Sequence, residues 1–149
     1  MNINPHHTLS LCVVERDALR AALEAGDPVD PAAVALDHIS APAADLIQGQ
    51  PGWLPGIADE SGAPVTLDHF VLAPQQAVGL RDVPHAWEVD AFALCAVYER
   101  VVWDDRAPEW HKAVGRERSH DRLRKIHDLS LRAWRNHGEG ERLVILESP

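Results

Sequence analysis

The chain has 149 residues, of which 46% are hydrophobic and 25% are charged, and its formal net charge at pH 7 is −9 with histidine counted as neutral. These values are typical of an ordinary globular domain, and they argue against a disordered chain, a collagen-like fibre and a membrane bundle. No apolar run approaches the roughly 20 residues that cross a bilayer, and the N-terminus lacks the order of a signal peptide, so we expect one compact domain, residues 1–149, in the cytoplasm.

The N-terminal segment predicts a strand followed by a helix. Apolar residues alternate with smaller or polar ones from Leu9 to Val13, which is typical of a strand with one buried face. Leu19 and Leu23 lie four residues apart, and a glycine and a proline follow them. This pattern predicts a short helix over residues 15–25.

The middle of the chain, residues 26–84, is segmented by turn-forming residues. It holds eight of the eleven prolines and six of the nine glycines, which argues against long regular elements. We expect short helices over residues 32–39 and 43–48, a loop around Trp53, and a strand over residues 65–72.

Residues 86–138 are predicted to form a helical C-terminal half. The stretch 86–105 has no proline or glycine, and its apolar residues recur at helical spacing, as at Trp87, Ala91, Leu94, Cys95, Tyr98, Val101 and Val102. A second helical segment opens at Ala107 and continues through residues 116–138, with Gly138 as its C-cap. We expect Trp87 and Trp134 to lie on core faces.

The last strand is predicted at ERLVILES, residues 141–148, which is rich in aliphatic and β-branched residues. We expect it to pair with the N-terminal strand. The predicted fold class is therefore α+β, mainly helical, with a small sheet formed by the N-terminal and C-terminal strands and at most one middle strand.

The two cysteines are expected to be buried and reduced. Cys12 lies in the first predicted strand, and Cys95 lies in an apolar helical segment. Such positions are common for thiols that pack as small hydrophobic groups.

The stretch 116–138 holds seven of the fourteen basic residues of this acidic chain. At 100° per residue it forms an amphipathic helix, with Leu123, Ile126, Leu129, Ser130, Ala133 and Trp134 on one arc and charged residues on the other. Asp121 with Lys125 and Asp128 with Arg132 have the spacing of helical ion pairs. His120, His127 and Trp134 follow the seam between the arcs, a position that commonly faces a neighbouring helix.

Two interpretations of the charged arc stay open. It is either a solvated face or a surface that receives an acidic partner or a phosphate backbone. Tryptophan and arginine are enriched at binding hot spots, and the chain has five Trp against two Phe and one Tyr. The candidate contact residues are Trp53, Trp110, His111, Arg116, Arg118, His120 and Arg124.

The leading functional hypothesis is a small cytoplasmic protein-interaction module: an adaptor, a chaperone-like factor or a neutralising partner that performs no chemistry. Its partner is expected to be another protein, with no membrane and no cofactor involved. Acidic charge elsewhere on the chain keeps it soluble and steers it towards a basic partner.

Two alternatives belong to other classes. A metal-assisted hydrolase would use His120, Asp121, His127 and Asp128 with a divalent metal. The adjacent His127 and Asp128 resemble the His-Asp pair of the HD phosphohydrolases, but no aspartate follows Asp128 as that family requires, so the resemblance implies no function here. Nucleic-acid binding through the basic helix is the second alternative, and the net charge of −9 opposes it.

Overall fold

The computed structural model describes residues 4, 6–25, 30–43, 70–72, 86–102 and 116–148, and the side chains of 97–102 and 116–123 lie outside that description. The strands are β1 (Thr8–Glu15), β2 (Ala35–Pro42), β3 (Ala86–Val89) and β4 (Glu141–Ser148). The helices are α1 (Arg16–Glu24), α2 (Pro31–Val34), α3 (Ala91–Val102) and α4 (Arg116–Arg135), and a 3₁₀ turn follows at His137–Glu139. Within these ranges no helix is both long and apolar enough to cross a membrane.

The four strands form one antiparallel sheet in the order β2-β1-β4-β3. The predicted pairing of the N-terminal and C-terminal strands is confirmed, because β1 and β4 pair along their whole length, from Thr8 opposite Ser148 to Glu15 opposite Glu141. The two strands occupy the centre of the sheet. Their inner positions are buried on both faces, which explains why both sequences are nearly continuous runs of apolar or small residues.

The predicted fold class, mainly helical with a small sheet, was wrong about the share of helix. Of the residues described with their side chains, 47% are helical and 39% lie in strands, so the protein is not mainly helical. The sheet also contains two further strands, β2 and β3, in segments that the sequence had indicated as helical. The C-terminal half, residues 86–138, accordingly begins with a strand.

Strand β2 replaces most of the helix predicted over residues 32–39. Only Pro31–Val34 is helical, and Asp30 caps this single turn by accepting a hydrogen bond from the Ala32 amide at 3.0 Å. From Ala35 onwards the chain pairs with β1, with Ile39 opposite Leu11. This pairing across the sheet overrides the local helix preference of the alanines.

Strand β3 replaces the first residues of the long helix predicted over residues 86–105. Trp87 lies opposite Ile145 of β4, and Asp90 separates the strand from α3. The Asp90 carboxylate accepts a hydrogen bond from the Ala93 amide at 3.0 Å and so caps the helix. Part of the strand predicted over 65–72 is described, and there Val71 forms an isolated bridge to Val89.

Other sequence predictions fall outside the described residues. They are residues 44–48 of the helix predicted over 43–48, the loop around Trp53, the strand residues 65–69 and the helical segment from Ala107 to residue 115. Ala43, the first residue of that predicted helix, lies in a turn. By contrast, the first helix is confirmed: α1 begins after Glu15, whose carboxylate accepts hydrogen bonds from the amides of Asp17 and Ala18.

Helices cover both faces of the sheet. On one face, residues of α3 and α4 pack with the inner side chains of the strands, including Leu94, Ile126, Leu129, Leu11 and Ile145. On the other face, α1 and α2 contribute Leu19, Leu23 and Val34 to a second cluster around Cys12, Val14 and Val144.

The turn between α4 and β4 requires a glycine at position 140. Gly140 has φ +92°, and a Cβ atom there would lie 3.1 Å from Glu15 Oε1. The sequence had indicated Gly138 as the C-cap of the helix, but α4 ends at Arg135, and Gly138 lies in the 3₁₀ turn without a positive φ. The left-handed residue therefore ends the 3₁₀ turn and not the helix.

Candidate functional site

The second half of α4 follows the predicted amphipathic pattern. Ile126, Leu129, Ser130 and Ala133 are buried against the sheet, while Arg124 and Asp128 are exposed. The buried Ser130 hydroxyl donates to the Ile126 carbonyl at 2.9 Å, so its polar group is satisfied within the helix. Because this side of α4 packs against the sheet, the residues on its opposite side point away from the core.

Two basic side chains of α4 bind carboxylates on the strands. Lys125 Nζ donates to Asp37 Oδ1 of β2 at 2.6 Å, and Arg132 Nε donates to Glu141 Oε1 of β4 at 2.8 Å. The predicted pairing of Arg132 with Asp128 was therefore wrong, because an acidic side chain of the neighbouring strand lies within its reach. These bases hold the helix on the sheet and are not simply a solvated face.

The Asp37 carboxyl is stabilised in its charged form. The hydrogen bond from Lys125 lowers its pKa below the ordinary value, against the opposing effect of partial burial. The charges of Lys125 and Arg132 and the backbone amide of His38 lower the pKa further. Both side chains of the pair stay partly exposed, at 35% for Lys125 and 41% for Asp37, so solvent weakens the interaction.

Trp134 and Phe92 form an exposed aromatic pair between α4 and α3. Their ring centroids lie 5.4 Å apart with the planes tilted by 55°, a favourable geometry for two aromatic rings. Trp134 is 47% exposed and Phe92 is 58% exposed. The expectation that Trp134 belongs to the core was wrong, although as a seam residue it does face a neighbouring helix.

The aromatic pair lies at a groove of about 420 Å³, hereafter the aromatic groove. Its lining, as far as the structure describes it, includes Leu72, Asp90, Phe92, Trp134, Glu141 and Arg142. It is formed where the start of α3, the end of α4 and the start of β4 meet beside β3. The size falls within the range of about 300–1,000 Å³ that is usual for ligand pockets.

Most charges in the groove are already paired within the protein. Glu141 accepts from Arg132 and from Asn136 Nδ2 at 2.9 Å. Arg142 donates to two backbone carbonyls at 2.8 Å, and its Nε lies 3.5 Å from the buried Glu88 carboxylate. Among the charged residues described at the groove, Asp90 is the one without an ionic partner, since its contact is the α3 backbone.

The structure describes few of the predicted contact residues. Trp53, Trp110 and His111 lie outside the described residues, and Arg116, Arg118 and His120 are placed on the backbone of α4 without described side chains. Arg124 is exposed and forms no ion pair with any described residue. The predicted contact set therefore stays a prediction.

The residues of the alternative metal site lie on α4 as two adjacent pairs, His120 with Asp121 and His127 with Asp128. His127 is partly buried and Asp128 is exposed, whereas His120 and Asp121 have no described side chains. In the part of the chain that is described, no three His, Cys, Asp or Glu residues come together in a way that could hold a metal. The described geometry thus supplies no support for this alternative.

Sequence reasoning missed Phe92 and Asp90. Both fall in the stretch that was predicted to be the first turns of one long helix. Phe92 was not among the apolar positions expected on the core face of that helix. A large aromatic ring outside the buried arc was the signal that could have indicated an exposed contact residue. Asp90 follows a short alternating run and precedes an apolar helix, which is the pattern of an N-cap.

The two cysteines are buried, as predicted, and no disulfide joins them. Burial raises the pKa of the Cys12 thiol to about 12, so this group stays protonated at neutral pH. A protonated, buried thiol is a poor nucleophile.

Comparisons with known proteins give no relative for this chain. No protein-family model, no curated protein and no solved structure matches it. A functional conclusion therefore depends on the aromatic pair, the groove and the charges around them.

Proposed function

We propose that this protein is a small protein-interaction module whose contact surface is the aromatic groove and the adjoining exposed side of α4. The observation that carries the proposal is the exposed pair of Phe92 and Trp134 at the edge of the groove. Two large rings that stay about half exposed leave apolar area in water, and a partner that covers them gains the free energy of removing it.

The composition of this surface supports the same conclusion. Trp and Arg are the residues most enriched at binding hot spots, and Trp134 lies on the helix that also carries the exposed Arg124 and Arg135. The rings are rigid and held against each other, so covering them costs little side-chain entropy. Through such a contact the protein would act as an adaptor, a chaperone-like factor or a neutralising partner.

The metal-assisted hydrolase and the nucleic-acid binder stay predictions. No described cluster of side chains favours a metal site, and the described bases Lys125 and Arg132 are committed to carboxylates of the sheet. The net charge of −9 also opposes a phosphate backbone as partner.

The proposal is tested by purifying the tagged protein from lysate of its own source and quantifying what co-purifies. Three forms are compared: the wild type, the double variant Phe92→Ser/Trp134→Ser, and Leu36→Ser. Leu36 is a suitable control because it is another large exposed apolar residue, 50% exposed, on the opposite edge strand β2.

We expect a protein that is retained in a fixed molar ratio by the wild type and by Leu36→Ser, and lost from the aromatic double variant. The folded state of each variant is checked by its unfolding midpoint. A partner that the double variant retains equally well, or the absence of any stoichiometric partner, would contradict the proposal.

A further inference from the structure

We propose that the aromatic groove receives a basic segment of the partner protein, with an arginine or lysine side chain lying over Phe92 and Trp134 and its charged head directed to Asp90. This inference rests on the proposed function, because it names the chemistry of the partner at the same surface. Two features of the groove and one of the whole chain indicate the chemistry of the partner segment. They are the exposed rings, the Asp90 carboxylate and the negative net charge of the protein.

The rings suit the long side chain of a basic residue. Arginine and lysine bury their aliphatic stems along apolar surfaces while the charged head stays near polar groups. The faces of Trp and Phe also attract cations through their quadrupole, and Trp does so most strongly. Leu72 and Leu143 extend this apolar lining of the groove.

Among the described residues that line the groove, two carboxylates, of Asp90 and Glu141, stand against the one guanidinium of Arg142. His137 also lines the groove and is counted as neutral. Glu141 is compensated by Arg132, and Arg142 is compensated by Glu88, whose side chain is 5% exposed. The Asp90 carboxylate pairs with no basic side chain among the described residues, and it accepts a hydrogen bond from the Ala93 amide through Oδ1. A cationic head beside Asp90 would therefore meet a carboxylate that pairs with no basic side chain among the described residues.

The charge of the chain acts in the same direction. With a formal net charge of −9, the protein attracts basic partners over a distance and repels acidic ones. An acidic segment would gain little from Arg142 in the groove. The Arg142 side chain is only 11% exposed, it lies against the Glu88 carboxylate, and it donates to two backbone carbonyls.

The test uses the full chain, labelled with ¹⁵N, and two capped pentapeptides as probes. One peptide alternates alanine with arginine, and the other alternates alanine with glutamate. We expect saturable chemical-shift changes at the Trp134 indole N–H and the Phe92 amide with the arginine peptide, and none with the glutamate peptide.

Asp90→Asn and Asp128→Asn separate a local contact from general attraction. Each removes one negative charge, and asparagine preserves the N-cap of α3, so the fold is kept. Asp128 is exposed on α4 and does not line the groove. We expect Asp90→Asn to raise the dissociation constant of the arginine peptide by about five-fold. Asp128→Asn should raise it by less than about two-fold.

Three results would overturn the inference. The two variants could weaken binding of the arginine peptide equally, both peptides could bind with equal affinity, or the Trp134 indole signal could stay unchanged. Its failure is distinguishable from that of the proposed function. If the aromatic double variant loses a partner protein in the purification experiment while the arginine peptide does not bind the groove, the interaction surface stands and the basic segment is wrong.

Discussion

Arg132 donates through Nε to the Glu141 carboxylate at 2.8 Å and ties the last turns of α4 to the first residue of β4. Asn136 donates to the other carboxylate oxygen at 2.9 Å. The Glu141 side chain is 12% exposed and the Arg132 side chain is 42% exposed, so water reaches the ion pair from the side of the arginine. This anchor lies close along the helix to Trp134 and fixes the rotation of α4 that leaves the indole at the groove.

Replacing Glu141 with glutamine should therefore destabilise the fold. The variant loses the charge that Arg132 pairs with, and we expect the free energy of unfolding to fall by about 1–3 kcal/mol. Glu139→Gln is the control, because Glu139 is exposed in the 3₁₀ turn, and it should change stability by less than about 0.5 kcal/mol. Urea unfolding of both variants measures this difference, and similar losses in the two would contradict the role of the anchor.

The turn before β4 gives a second prediction through two glycines. Gly140→Ala places a side chain at φ +92° with its Cβ 3.1 Å from Glu15 Oε1, next to the carboxylate that caps α1. We expect a loss of about 1–3 kcal/mol from strain. Gly138→Ala meets nothing within 4 Å and has no positive φ, so its stability should be unchanged or slightly higher. Thermal unfolding that shows no difference between the two variants would be inconsistent with this turn.

The pair of Asp37 with Lys125 predicts a dependence of stability on pH. The pKa of Asp37 is lower in the folded state, so the pair stabilises the fold above the unfolded pKa of about 3.9 and this contribution is lost as pH falls through the folded pKa. Because both side chains are more than a third exposed, Asp37→Asn should cost less than about 1 kcal/mol at pH 7.

The check is to compare wild type and Asp37→Asn at pH 7 and at pH 3 by chemical unfolding. The wild type should have the larger free energy of unfolding at pH 7. The gap in free energy of unfolding between the two forms should narrow at pH 3. A gap that widens as pH falls would give the opposite sign and refute the assignment of the pKa direction.

The strands at the two ends of the chain were predictable because their pattern is local and complete. The run ERLVILES coincides with β4, and the alternation from Leu9 to Val13 lies within β1. The edge strands were not predictable in the same way. Ala35–Pro42 becomes a strand through its pairing with β1, and no local pattern in an alanine-rich segment reports that contact.

The candidate site was predicted only in part for a similar reason. The amphipathic arc of α4 follows from the spacing of its own residues, and burial of Ile126 and Leu129 confirms it. The exposure of Trp134 depends on where α3 begins, and that position is set by the strand β3 and the cap at Asp90. Helical periodicity alone assigned Trp134 to the core because it cannot show which side chain lies at the end of the packed face.

The most direct test of the contact surface is site-specific photo-crosslinking in cells of the protein's own source. A benzophenone amino acid is placed at position 92 in one form and at position 36 in the other, since Phe92 and Leu36 are both exposed but lie at opposite edges of the sheet. We predict one protein adduct of defined mass from position 92 that disappears when Trp134→Ser is added, and no such adduct from position 36. The same adduct from both positions, or none from position 92, would contradict the account.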